Sequence, residues 1–193
     1  MDYFNGALTC LELGNESSYL ALREQAAARF KATDNKSIAE RILKINLLRP
    51  IDEQATASLV PLTGVLAREI GPQKEPNPYN AWYSMLLGLF EYRCGNYTKA
   101  MDWARQSLDT ATDIVALPNA TDHVILAMSL HQLGNRSSAR SELEQANTLL
   151  QNGFDHEFDI WHWRDWVFVR LLLKEANLLM KGESSPASTT APR

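Results

Sequence analysis

A chain of 193 residues is long enough to bury a core of its own. Its net charge of −4, with Lys and Arg scattered among Asp and Glu, excludes the basic stripe of a nucleic-acid-binding surface. Apolar residues make up 45% of the chain, Ala and Leu abundant among them and period-two runs of Val, Ile and Thr missing, a balance that selects an all-helical fold. No apolar run approaches the roughly 18 residues a membrane span needs. The opening residues have neither the charged nor the apolar part of a signal peptide, so a cytoplasmic location is expected. Cys10 and Cys94 read as small buried hydrophobes of a reducing compartment.

Tyr3 to Leu13 carries apolar residues at 4, 7, 8 and 11, with a satellite at 13, which is helical spacing. Gly14-Asn15 ends it, glycine suiting the left-handed C-cap and asparagine capping the next helix, from about Glu16 to Phe30. Lys36 to Leu48 presents a broad apolar face through Ile38, Ala39, Ile42, Leu43, Ile45 and Leu48, and Pro50 stops it. Asp52 caps a further helix to about Ile70, which Pro61 is expected to kink or divide. Residues 71–78 hold three prolines and a glycine and read as a loop inserted between helix pairs. Asn80 to Leu108 forms two helices joined at Gly95-Asn96. Another pair follows over about 119–151, joined at Gly134-Asn135 and ended by Asn152-Gly153. The last helix, about Phe158 to Lys181, is the most apolar, and 182–193 has the Ser/Pro/Ala/Thr composition of a disordered tail.

Two of these turns are nearly the same hexapeptide: Leu13-Gly14-Asn15-Glu16-Ser17-Ser18 and Leu133-Gly134-Asn135-Arg136-Ser137-Ser138. Cys94-Gly95-Asn96-Tyr97-Thr98 is a third version, and three matching turns between helix pairs make an internal repeat. The middle unit is the best formed, with Leu87-Gly88 before the turn, Tyr97 after it, then Ala100 and Leu108. This signature resembles the tetratricopeptide repeat (TPR). The resemblance implies a right-handed α-solenoid of about four antiparallel helix pairs, at about 2–31, 35–70, 79–110 and 119–151, with a capping helix over 158–181, all one domain.

Up to about Met180 the chain is also similar to the C-terminal TPR modules of large bacterial multidomain proteins. Those are proteins of planctomycetes and verrucomicrobia, in which the module stands behind a kinase domain or a β-propeller. Ala7-Leu8, Leu13-Gly14-Asn15, Asn80-Ala81-Trp82-Tyr83, Leu126-Ala127-Met128, His131-Gln132-Leu133-Gly134 and Leu172-Leu173-Lys174-Glu175-Ala176 carry that likeness. Glu16 and Arg136 depart from it, because an aromatic or apolar residue is usual after the Gly-Asn turn. Kinase chemistry does not come with the resemblance, since the chain has no Gly-rich loop, Val-Ala-Ile-Lys, His-Arg-Asp or Asp-Phe-Gly.

The resemblance implies a non-enzymatic scaffold that binds a protein or peptide in a concave groove, with no cofactor and no metal. Counting from the turn glycines, Trp82, Met85, Leu89, Tyr92, Val124, Met128 and His131 should line that groove with Arg93 at its rim, an apolar, Met-rich surface suited to an amphipathic helix. Trp161, Trp163 and Trp166 spread over more than half the helix circumference. They either cap the solenoid or form an interface, on which the chain would dock on an attached signalling domain or self-associate into a homo-oligomer. His156 and His162 lie among Asp155, Glu157, Asp159 and Asp165, but without a His-Glu-x-x-His or His-x-x-x-His spacing, and acidic residues there suit a helix N-terminus. Five Asn-x-Ser/Thr sequences, at Asn15, Asn35, Asn96, Asn119 and Asn135, read as capping chemistry.

Overall fold

The computed structural model describes residues 2–70, 79–110, 116–156 and 163–181, with the side chains of 116 and 154–156 excepted. Among these residues the protein is all-helical. In chain order the helices are α1 (Tyr3–Glu12), α2 (Glu16–Phe30), α3 (Lys36–Leu47), α4 (Glu53–Ala67), α5 (Tyr79–Arg93), α6 (Tyr97–Thr110), α7 (Ala116–Gln132), α8 (Arg136–His156) and α9 (Trp163–Lys181). The loop expected at 71–78, the tail at 182–193 and the start of the last helix at 158–162 lie outside the described residues. No described helix is long and apolar enough to cross a membrane.

Short polar side chains start the first four helices. Asp2, Asn15, Asn35 and Asp52 each accept a hydrogen bond from the backbone N–H three residues on, at 3.3, 3.1, 3.1 and 2.7 Å. Each cap is worth about 1 kcal/mol. Asn135 does the same for α8 through Ser138 N, at 3.3 Å. Asn96 does not follow the pattern, and its amide nitrogen donates to the Glu91 carboxylate.

The three Gly-Asn turns share one backbone geometry. Gly14, Gly95 and Gly134 have φ of 69°, 78° and 80°, the left-handed region in which a β-carbon is strained. Each glycine N–H reaches the carbonyl three residues back, at 3.1, 3.0 and 2.9 Å, and each asparagine N–H the carbonyl five back, at 2.8, 2.9 and 2.9 Å. These are the paired bonds of a Schellman C-cap.

The repeat extends into the packing. Seven residues before each turn glycine stand Ala7, Gly88 and Ala127, and twelve after it stand Ala26, Ser107 and Ala146, all buried. Small residues let the paired helices approach closely. A β-carbon on Gly88 would lie 3.1 Å from the Ala100 carbonyl oxygen and 3.4 Å from the Ala104 nitrogen, both backbone atoms. The first pair departs once. Tyr19 stands where the others have Ala100 and Ala139, and its buried hydroxyl donates to the Ile45 carbonyl at 2.9 Å, tying α2 to α3.

Two helices pass residues read as breaks or stops. Pro61 does not divide α4. The carbonyl it deprives of a partner belongs to Ala57, which is exposed, so water can serve it. Gly153 does not stop α8, which continues to His156. Its role is clearance, since a β-carbon there would stand 1.6 Å from Cη2 of the buried Trp166. The helix α7 begins before residue 119, at Ala116, with Pro118 in the first turn, where a missing N–H has no helical acceptor to lose.

Consecutive helices pack as neighbours, and the odd-numbered ones also touch each other in the series α1–α3, α3–α5, α5–α7 and α7–α9. The helix α9 further reaches back to α1, bringing the two ends of the described chain together.

Gly88→Ala is expected to lower stability by about 1–3 kcal/mol through forced helix separation. Gly153→Ala should cost more, because the obstructing group is a fully buried indole. Urea denaturation midpoints measure both, and an unchanged midpoint for Gly153→Ala would show that Trp166 is not lodged there.

Candidate functional site

The residues expected to line an open groove lie in the core instead. Met85, Leu89, Val124 and Met128 are 0% exposed, and Tyr92 and His131 are nearly as deeply buried. The reason is crowding. The helix α5 is surrounded by α3, α4, α6 and α7, and α7 by α5, α6, α8 and α9, so these side chains face neighbouring helices. Arg93 is not at a rim either, its side chain being 3% exposed. Trp82 alone of this set keeps a partly open side chain beside a cavity.

The helix α9 adds to this packing against α7, α8 and α1. It buries Trp166, Phe168, Val169, Leu171, Leu172, Leu173 and Ala176, each large apolar side chain worth roughly 1.5–3 kcal/mol. Phe168 meets Phe4 of α1 edge-on at 6.4 Å between centroids. Trp166 is therefore core and not an exposed interface, Trp163 is half-buried, and Trp161 lies outside the described residues.

Ion pairs from three other helices fix the position of α9. Arg93, at the end of α5, donates through Nε and Nη2 to the Leu47 carbonyl of α3, at 3.0 and 2.9 Å, and forks onto the Glu175 carboxylate with its Nη2 at 2.7 Å. Lys44 of α3 contacts Glu40 one turn earlier and Asp165 of α9 at 2.7 Å, while its ammonium sits 4.1 Å above the Trp82 ring. Burial opposes charge on Lys44, but the two carboxylates outweigh it and hold the pKa above the usual lysine value. At the surface Arg170 pairs with Glu12 of α1, and Arg164 lies 3.6 Å from Asp2.

Sequence reading missed Lys44, Asp165 and Glu175 as partners. A lysine inside Ile42-Leu43-Lys44-Ile45, on an otherwise apolar helix face, was the available signal, because a buried ammonium must find carboxylates. Nothing local marked which ones, since Asp165 is 121 residues away.

Two cavities flank α3 beside this bed. One, of about 440 Å³, lies between α1, α3, α5 and α9 with aromatic walls from Phe4, Tyr79, Trp82 and Tyr83 and charged groups from Glu40, Lys44 and Asp165. The other, of about 310 Å³, lies between α1, α2 and α3 and is mainly apolar. Among the described residues no group of three His, Cys, Asp or Glu side chains could hold a metal. His123 instead pairs through Nδ1 with Glu142 at 2.6 Å, and the side chains of His156 and His162 lie outside the described residues.

One buried acid belongs to neither the clamps nor the cavities. The carboxyl group of Asp122, on α7, is fully buried, and neither of its oxygens is paired in a hydrogen bond. Burial raises its pKa well above the ordinary aspartate value, and the nearby Ser107 hydroxyl, which donates to the Ala81 carbonyl at 2.8 Å, offsets little of that.

No protein-family model, curated protein or solved structure matches the chain.

The raised pKa of Asp122 predicts the sign of a pH effect. The folded protein keeps its proton at pH values where the unfolded chain has lost it. Stability is therefore full below the ordinary aspartate pKa and falls by up to about 1.4 kcal/mol per pH unit as pH rises toward the folded value. Asp122→Asn should remove that slope, so its advantage over wild type in urea denaturation should be larger at pH 7 than at pH 4.

Proposed function

We propose that the chain is a non-catalytic protein-interaction module of TPR type, a short bacterial α-solenoid whose helix-binding face is filled in cis by its own last helix. The observation that carries this reading is the way α9 is held. An amphipathic helix lies on an apolar bed and presents Asp165 and Glu175, about 15 Å apart along its axis, to Lys44 and Arg93. Helix-in-groove recognition has this form, with apolar anchors along one stripe and charges setting register. A partner for that face would be an amphipathic helix with carboxylates at a like spacing, supplied by another protein or by a domain in the same polypeptide.

The recurring turns, the small residues at matched positions and the chain of contacts between odd-numbered helices support the TPR reading. The burial of Trp166 weighs against self-association through the tryptophans. A cytoplasmic location belongs to the same proposal.

A labelled peptide of residues 163–181 tests it. Replacing both Asp165 and Glu175 by Arg in the full chain sets like charges against Lys44 and Arg93 and loosens α9. Fluorescence anisotropy should then show the peptide binding this variant at least tenfold more tightly than wild type, with helicity retained by circular dichroism. Absence of saturable binding to either protein would leave α9 a structural cap and end the proposal.

A further inference from the structure

The helix α3 separates two cavities. Ser37, Glu40, Arg41 and Lys44 face the aromatic-walled one, while Ile38, Arg41, Ile42 and Ile45 face the apolar one. Arg41 lines both and stands exposed at the boundary. The other charged groups nearby are committed. Lys44 is held by Glu40 and Asp165, Lys36 by Glu69 at 2.7 Å, and Asp2 caps α1 and faces Arg164. Among the described residues Arg41 has no hydrogen-bond or ion-pair partner. The apolar cavity beside it is walled by Tyr3, Phe4, Phe30, Ile38, Ile42 and Ile45 and also lined by Asp2, whose carboxylate is engaged by Asn5 and Arg164. Both volumes fall in the range of roughly 300–1,000 Å³ typical of small-molecule sites.

We propose that this cavity is a binding site for a small amphiphilic carboxylate, a single-chain or aryl acid whose apolar part fills the space between α1, α2 and α3 and whose head group pairs with Arg41. The site is distinct from the bed of α9 and does not depend on any protein partner. A guanidinium at an apolar mouth selects for such a ligand twice. Its planar fork bonds a carboxylate through two parallel N–H groups, and the cavity behind it rewards each methylene removed from water. A cation would meet Arg41 with like charge, and a neutral chain would gain only the apolar contribution.

Isothermal titration calorimetry on the full chain, with hexanoate, octanoate, decanoate and decanol kept below micellar concentrations, tests the site. Affinity should rise about fourfold per added methylene until the cavity is full, and decanoate should bind at least tenfold more tightly than decanol. Arg41→Gln, at an exposed position, should erase the preference for decanoate while leaving decanol unchanged. Ile38→Glu, checked for retained helicity, should weaken both. No saturable decanoate binding, equal affinity for decanoate and decanol, or a preference that survives Arg41→Gln would each overturn the proposal.

Discussion

The guanidinium of Arg93 joins three helices that are far apart in sequence. It is almost wholly buried, and a buried cation is tolerated only where its donors are met. Two donors go to the Leu47 carbonyl, which closes the C-terminal end of α3, and the fork is completed by Glu175 of α9. The position of α9 is thus coupled to the ends of α3 and α5. Lys44 makes a second tie of the same kind near the start of α9, and the apolar surface between the two ties is then sealed from water. Met85 and Leu89 are enclosed by α3, α4, α6 and α7, and Val124 and Met128 lie on α7, which packs against α9.

Such ties contribute more to register than to stability. A buried ion pair recovers about what its desolvation costs, whereas the apolar side chains of α9 supply the net gain. A helix held by apolar contacts alone could slide or rotate on its bed. Charges at both ends remove that freedom, because any shift strands a cation in the core. Two cavities stay open around α3, one with aromatic and charged walls and the other mainly apolar, and Arg41 lines both.

Much of the helix plan was legible in the sequence. The spans Glu16–Phe30 and Lys36–Leu47, the caps at Asn15, Asn35 and Asp52, and the turns at Gly14, Gly95 and Gly134 follow from local chemistry: a short polar acceptor before a periodic run, and a residue able to take positive φ after it. The failures have local logic and a tertiary cause. Gly153 looked like a stop signal and is a clearance for the indole of Trp166, thirteen residues further along the chain. Pro61 looked like a kink or a break, and α4 is not divided there, with Leu59, Leu62, Val65 and Leu66 buried on either side of it.

The sequence by itself determined the elements, because caps, turns and apolar periodicity act within a few residues of one another. It also determined the close pairing of helices, since Ala7, Gly88 and Ala127 recur at a fixed distance from their turns. Which surface stays open was decided only by the tertiary structure. An apolar stripe at helical spacing is the same whether a neighbouring helix covers it or water does. The difference here lies in contacts between residues such as Lys44 and Asp165, or Arg93 and Glu175, whose separation along the chain hides their attraction until the fold brings them together.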